Sequence, residues 1–169
     1  MTAPYKIDRL TSQHDRASFT CGVEPIDRYL KNQASQDVKR RVAACFVAME
    51  IATGAIGGYY TMCAAAIPLT QIGPDLAKKL PRYPVVPAAR VGRLGVSTAH
   101  QGKGLGSALI VDAITRALRD DVMAFALLVD AKDDAAAEFY AHLGFLTFES
   151  QPRTLYLPLT DAARRFGLA

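Results

Sequence analysis

Between residues 90 and 107 the sequence passes from a strand-like run, Arg90-Val91-Gly92-Arg93-Leu94-Gly95-Val96, through His100-Gln101-Gly102-Lys103-Gly104-Leu105-Gly106-Ser107 into a helical pattern. Three glycines at alternate positions let the backbone turn tightly just where the helix begins. The first N–H groups of a helix lack intrahelical acceptors and carry roughly half a unit of positive dipole charge. This strand, turn and helix are therefore laid out to hold a phosphate or pyrophosphate. Lys103 adds a mobile cation to the loop. A P-loop requires G-x-x-x-x-G-K-[ST] and a dinucleotide fingerprint requires G-x-G-x-x-G, whereas Gly102, Gly104 and Gly106 read G-x-G-x-G, so both are excluded on spacing. A glycine-rich turn without a ligand is the plain alternative.

After the loop, Leu105, Leu109, Ile110, Ala113, Ile114, Ala117 and Leu118 recur at three- and four-residue intervals, the pattern of a helix packed on a sheet. Ala124 to Val129 is continuously apolar, as an interior strand covered on both faces should be. Strand, helix and strand in this order predict a right-handed parallel crossover. That places the chain in the α/β (α+β) class.

With 169 residues the chain is long enough for one domain with a real core, and a single domain over residues 1–169 is expected. The longest apolar runs fall short of the roughly 18 to 20 residues that span a bilayer, so no membrane crossing is expected. Met1 to Arg16 lack an apolar signal region, which points to a cytoplasmic protein. Cys21, Cys45 and Cys63 have no C-x-x-C spacing, and His14, His100 and His142 are scattered. Small buried thiols and surface imidazoles are expected, with no disulfide framework and no metal. The net charge of +4 is modest, but the cations cluster at Lys39-Arg40-Arg41, at Lys78-Lys79 with Arg82, and at Arg90 with Arg93. Such clusters suit a polyanionic partner, although many basic runs are only solvated faces.

The remaining elements follow in order. Tyr5 to Leu10 alternates and reads as a strand, and Pro25 to Ala34 reads as an amphipathic helix continuing weakly toward Arg41. Ala43 to Met49 and Ala55 to Ala64 form a hairpin, with Gly57-Gly58 predicting a bulge or a close backbone approach. Pro68 to Pro87 is a proline-rich excursion holding a short helix from Asp75 to Leu80. Ala135 to Leu143 is a helix with Asp133 and Asp134 as cap candidates and Gly144 as its end. Phe145 to Glu149 and Thr154 to Leu159 close the chain as a strand pair.

Gln101, Gly104 and Gly106 fill the Q-x-x-G-x-G pattern, which resembles the pyrophosphate-binding signature of the GNAT acyl-CoA N-acyltransferases. The order of elements resembles the same fold: a mixed, mostly antiparallel sheet with a central parallel β-α-β crossover and flanking helices. More narrowly, the chain is similar to the TacT/AtaT-like GNAT toxins of type II toxin-antitoxin modules. Phe19 to Gly22 with Ile26 to Leu30, Gly58 to Thr61, Lys79 to Pro84, Gly92 to Leu94, Asp130 to Asp133, Phe139-Tyr140 and Gly144-Phe145 carry that likeness. Gly95 and Ser97 depart from it, standing where alanine and aspartate are expected, and Met62 stands where leucine is commoner.

The resemblance implies acetyl-CoA as acyl donor, with no metal. It implies a gap between two parallel strands, Arg93 to Val96 and Ala126 to Asp130, that takes the pantetheine arm against the main chain of Leu94 and Val96. A strand N–H of Leu94 or Gly95 is implied as oxyanion donor. Cofactor contacts are implied at Leu94, Gly95, Val96, Gln101, Gly102, Lys103, Gly104, Leu105, Gly106, Ser107, Lys132 and Asp133. Tyr140 is implied as the proton donor to the leaving thiolate, its plain alternative being a core aromatic beside Phe139. Lys39, Arg40, Arg41, Lys78, Lys79, Arg82, Arg90 and Arg93 are implied as phosphate contacts to a charged tRNA. The implied reaction is acetyl transfer to the α-amine of aminoacyl-tRNA, which blocks translation. A homodimer and a small ribbon-helix-helix antitoxin are the implied partners. A GNAT enzyme acting on a protein or small amine, and a non-enzymatic acyl-CoA-binding module, are the competing readings.

Overall fold

The computed structural model describes residues 4–148 and 150–168. The chain forms two compact units, one of residues 1–63 and 92–112, the other of residues 64–91 and 113–169. Strands β3 (Ile56–Pro68) and β4 (Val85–Val96) and helix α4 (Leu105–Arg119) run through both.

In the first unit the sheet order is β1 (Tyr5–Arg9), β2 (Ala44–Glu50), β3, β4. Both pairings of β2 are antiparallel. The hairpin register shifts between Ala48 and Met49, where Ala48 faces Gly58 and Met49 faces Ile56, leaving Gly57 as the extra residue. The bulge expected from the paired glycines is therefore present. Glycine is required at its extra residue because a Cβ on Gly57 would lie 2.7 Å from the Tyr5 ring and 3.1 Å from Leu105. Helices α1 (Glu24–Asn32) and α2 (Ala34–Lys39) bury Tyr29, Leu30 and Ala34 against Phe19, Cys45, Val47, Ile56 and Tyr59. The single weak helix expected from Pro25 onward is thus two helices, broken at Gln33 (φ −123°). The Tyr29 hydroxyl donates to Asp37 of α2 at 2.7 Å and ties the second helix back to the first.

In the second unit the order is β3, β4, β5 (Ala126–Asp130), β7 (Thr154–Pro158), β6 (Leu146–Thr147). The expected crossover is observed, since β4 and β5 pair in parallel from Ala88↔Ala126 to Val91↔Val129, while β7 is antiparallel to β5 and to β6. Ile67, Val86, Ala88, Ala126, Leu128 and Tyr156 form this unit's core. Helices α3 (Pro74–Ala77) and α5 (Asp134–His142) lie near their expected positions.

Four further expectations need correction. β4 begins at Val85, inside the stretch read as a proline-rich loop. Val86 and Ala88 are buried between exposed Val85 and Pro87, so the alternation of a strand was masked by Pro87, whose carbonyl still accepts the Phe125 N–H at 2.8 Å. β6 shrinks to Leu146–Thr147, and Glu149 lies outside the described residues. Leu118 is exposed, because it sits in the last turn of α4 where the helix leaves its apolar cover. Leu159 does not end a strand but opens α6 (Leu159–Arg165), a helix not anticipated although Leu159 and Ala162, both buried, stand three residues apart after a proline.

Candidate active site

In the first unit a 3-10 turn, Thr98–His100, delivers the chain from β4 into the glycine loop and α4. Gly102 and Gly104 have φ of 76° and 81°, in the left-handed region that side chains avoid, and nothing lies within 4 Å of where a Cβ would project from either. Conformation rather than crowding therefore requires glycine, and the main chain is open to an approaching ligand. The Ala108 N–H reaches back to the Gly104 carbonyl at 3.1 Å, so the N–H groups of Leu105, Gly106 and Ser107 belong to the first turn, ahead of any intrahelical acceptor. Lys103 is exposed beside them. These groups fit a pyrophosphate.

The loop is held from beneath. Gln101 Nε2 donates to the Val96 carbonyl at 3.0 Å and to the Cys21 carbonyl at 3.2 Å. Its amide is thus committed to the protein's own backbone, and Gln101 shapes the cradle rather than presenting its amide to a phosphate. Cys21 is itself fixed by Asp27 of α1, whose carboxylate accepts the Cys21 N–H at 2.8 Å. His100 is 7% exposed, not the surface imidazole expected, with Nδ1 2.6 Å from the Tyr5 hydroxyl. It is buried because the turn folds it onto β1, a contact between residues far apart in sequence.

The departure at Gly95 has a packing cause. A Cβ there would lie 2.8 Å from Ile26 Cγ2 and 3.4 Å from Cys21 Sγ, so α1 occupies the space that the expected alanine would need. Ser97 is buried and donates its N–H to the Gly57 carbonyl at 2.8 Å. In the other unit the pairing of β4 with β5 ends at Val91↔Val129, while β4 runs on to Val96 with Leu94 half-buried.

In the second unit Tyr140 is 5% exposed, edge-on to Phe139 at 5.2 Å and tilted against Phe145 at 5.5 Å. Its hydroxyl makes no hydrogen bond among the described residues. Burial, with a smaller contribution from the Asp130 charge, pushes its pKa up to about 12, so the phenol is a neutral donor at ordinary pH. Asp133 caps α5, accepting the Ala136 N–H at 2.8 Å as expected of a cap, and Lys132 Nζ also bonds it at 2.8 Å. The Lys132 hydrogen bond, and then the Ala136 N–H, hold the Asp133 carboxyl below its usual range. These two residues face each other first.

The basic residues divide. Lys39, Arg40 and Arg41 are exposed at the end of α2, and Lys78, Lys79 and Arg82 are exposed after α3. Arg90 is half-buried and ion-paired with Asp130, so its charge is met inside the protein and the expectation of a free phosphate contact there is corrected. Arg93 is exposed, with its guanidinium 3.7 Å over the Tyr29 ring centre, and has no ion-pair partner among the described residues. It stands in a cleft of about 450 Å3 that it lines with Ile26, Tyr29, Asn32 and Gln33 of the α1 region. No spacing in the sequence signals this pairing. Among the described residues no group of three His, Cys, Asp or Glu is placed to hold a metal ion, and no helix is long and apolar enough to cross a membrane.

A glycine-turned helix start at the end of a strand, in a sheet with a parallel central pair, is the arrangement of an acyl-CoA N-acyltransferase, and the model of the acetyltransferase (GNAT) domain matches residues 84–161. The chain belongs to the GNAT family of acetyltransferases. It is 30% identical over 161 residues to the tRNA-acetylating toxin of Mycobacterium tuberculosis, an alignment that covers 94% of this chain and 95% of the relative. Its fold matches that of AtaT complexed with acetyl-methionyl-tRNAfMet, with a TM-score of 0.86 and 24% identity over 96% of this chain and 99% of the other. A mutant AtaT toxin bound to the C-terminus of the antitoxin AtaR matches with a TM-score of 0.79 and 22% identity, over 97% and 99%.

Proposed function

We propose that this protein is a tRNA-acetylating toxin that moves an acetyl group from acetyl-CoA to the α-amine of an aminoacyl-tRNA, so that the blocked amine no longer serves in translation. The observation that carries this reading is the open glycine cradle at the start of α4, in a chain aligned over 94% of its length with a tRNA-acetylating toxin. That alignment over 161 residues also supports treating the chain as one functional domain.

Acetyl-CoA supplies a thioester that an uncharged amine attacks, forming the C–N bond as the C–S bond breaks. The main-chain N–H groups of Gly104 to Ser107 hold the pyrophosphate, and Lys103 adds charge at the rim. The Leu94 or Gly95 N–H steadies the negative charge developing on the carbonyl oxygen. Tyr140 donates its proton to the departing sulfur, and the proton lost by the amine restores the phenol through solvent. A phenol shifted to about 12 gives up its proton only as the thiolate charge develops, so placement rather than acidity sets its contribution. No carboxylate is assigned as base. An α-amine with pKa near ~8 is partly uncharged at neutral pH, whereas a lysine near ~10.4 would need one, which favours the aminoacyl acceptor.

Lys39, Arg40, Arg41, Lys78, Lys79 and Arg82 take the tRNA phosphates in this reading. A homodimer in the cytoplasm, neutralised by a small ribbon-helix-helix antitoxin, completes it. Labelled acetyl-CoA mixed with charged tRNA and the purified protein tests the reading. Label on the aminoacyl-tRNA is expected; label confined to protein lysines or free polyamines would reject it. A Tyr140→Phe variant indistinguishable from wild type would instead indicate an acyl-CoA-binding module.

A further inference from the structure

Arg90 and Arg93 stand three residues apart on β4 and do different work. Arg90 is neutralised by Asp130. Arg93 carries its charge unpaired among the described residues, and its guanidinium carbon sits over the Tyr29 ring, 3.7 Å from the centre. The ring beneath it is clamped. Its hydroxyl donates to Asp37 at 2.7 Å, and the ring stacks nearly parallel to Tyr59 with an interplanar angle of 7°. Tyr59 in turn donates its hydroxyl to the carbonyl of Ile26, a residue that lines the cleft, at 2.6 Å, which ties the α1 backbone in place there. A guanidinium seated on a clamped aromatic ring is placed for stacking; a cation that only neutralises a phosphate needs no such support.

We propose that this cleft is a nucleobase subsite, in which Arg93 stacks on an unpaired base at the 3′ end of the acceptor strand while the amide of Asn32, with the amide oxygen of Gln33, whose nitrogen donates to Asp37 at 3.4 Å, reads its edge. The proposal rests on the tRNA-acetylating reading and names where the substrate's single-stranded end is gripped. Three features favour a base over the side chain of the esterified amino acid. The cleft, at about 450 Å3, is lined by the exposed side chains of Asn32, Gln33 and Arg93 as well as by Ile26 and Tyr29, whereas small-molecule pockets are lined mainly by apolar side chains. It offers the amide of Asn32 and the amide oxygen of Gln33, a donor and acceptors suited to the edge of a base. Its planar cation is matched to a flat π face. Arg93 is on this view a stacking residue, which revises the phosphate contact expected for it.

The decisive variant is Arg93→Lys, which keeps the charge and removes the plane. A short acceptor-stem RNA carrying 2-aminopurine in place of its 3′-terminal adenine reports stacking by fluorescence quenching on addition of the full chain. Charged tRNA with labelled acetyl-CoA reports turnover. Wild type should quench the fluorophore and acetylate the tRNA. Arg93→Lys should lose the quenching and raise KM for charged tRNA roughly 5- to 100-fold, as loss of a base stack does. KM for acetyl-CoA and the salt dependence of binding should hold. Quenching and KM unchanged in Arg93→Lys, with wild-type acetylation intact, would overturn the subsite and leave the tRNA reading standing. A change only in which aminoacyl group is preferred would overturn it in favour of an amino-acid pocket. Failure of the wild type to acetylate any charged tRNA would remove both.

Discussion

The side-chain amide of Gln101 donates to the carbonyl of Val96 at 3.0 Å, joining the first residue of the glycine loop to the last residue of β4. The same nitrogen reaches Cys21, 80 residues away in sequence, so one side chain sets the position of the loop against two separate segments. Gln101→Leu keeps the bulk and removes both bonds. At about 0.5–1.5 kcal/mol for each neutral hydrogen bond, losing both costs about 1–3 kcal/mol, and acetyl-CoA affinity should fall roughly 5- to 100-fold in calorimetry, with kcat little changed. Unaltered affinity would mean the loop holds its shape without the latch.

Gly104 carries a φ of 81°, which an alanine adopts at a cost of roughly 1–2 kcal/mol. Space is not at issue, since nothing stands within 4 Å of the added carbon. Gly104→Ala should therefore leave the protein folded, lower its melting temperature by a few degrees and weaken acetyl-CoA binding. Calorimetry and thermal melts on the same sample separate the two effects.

Tyr140→Phe removes a hydroxyl and leaves the ring between Phe139 and Phe145. The turnover number should drop by about 100-fold or more, the usual contribution of a placed proton donor, with KM for acetyl-CoA nearly constant and the melting temperature retained. Single-turnover kinetics with charged tRNA measure it. A variant as active as wild type would remove Tyr140 from the chemistry.

Gly95→Ala should destabilise the protein by about 1–3 kcal/mol, because the new methyl meets Ile26 Cγ2 at 2.8 Å, and that branch atom sits close to the α1 backbone. Adding Ile26→Leu, which moves the branch away from the backbone, should recover part of the loss in urea denaturation. If Gly95→Ala alone were neutral, the crowding argument would fail.

Burial holds the Cys45 thiol up to about 12 and the Cys21 thiol up to about 11, against an ordinary value of 9.0. Both are protonated in the folded chain where the unfolded chain has begun to ionise, so the unfolded state binds fewer protons and stability falls with rising pH. The contribution is complete below pH 9 and is lost between about 9 and 12. Melting temperature against pH should decline across that window, and Cys45→Ala should flatten the decline while lowering the plateau below it.

Local chemistry made much of this protein legible in advance. The alternating glycines before an apolar helix, the acidic cap at Asp133 before α5 and the continuous apolar run of β5 each act over a few residues, so the crossover and the cradle follow from the chain itself. Partners were not legible. The stack of Arg93 on Tyr29, the capture of Cys21 by Gln101, the contact of His100 with Tyr5 and the loss of a side chain at Gly95 to make room for Ile26 all join segments far apart in sequence. Periodicity and turn signals report which face of an element is buried and where it ends. They carry no information about which distant side chain will meet that face, because this is decided only when the strands pair and the helices settle on the sheet.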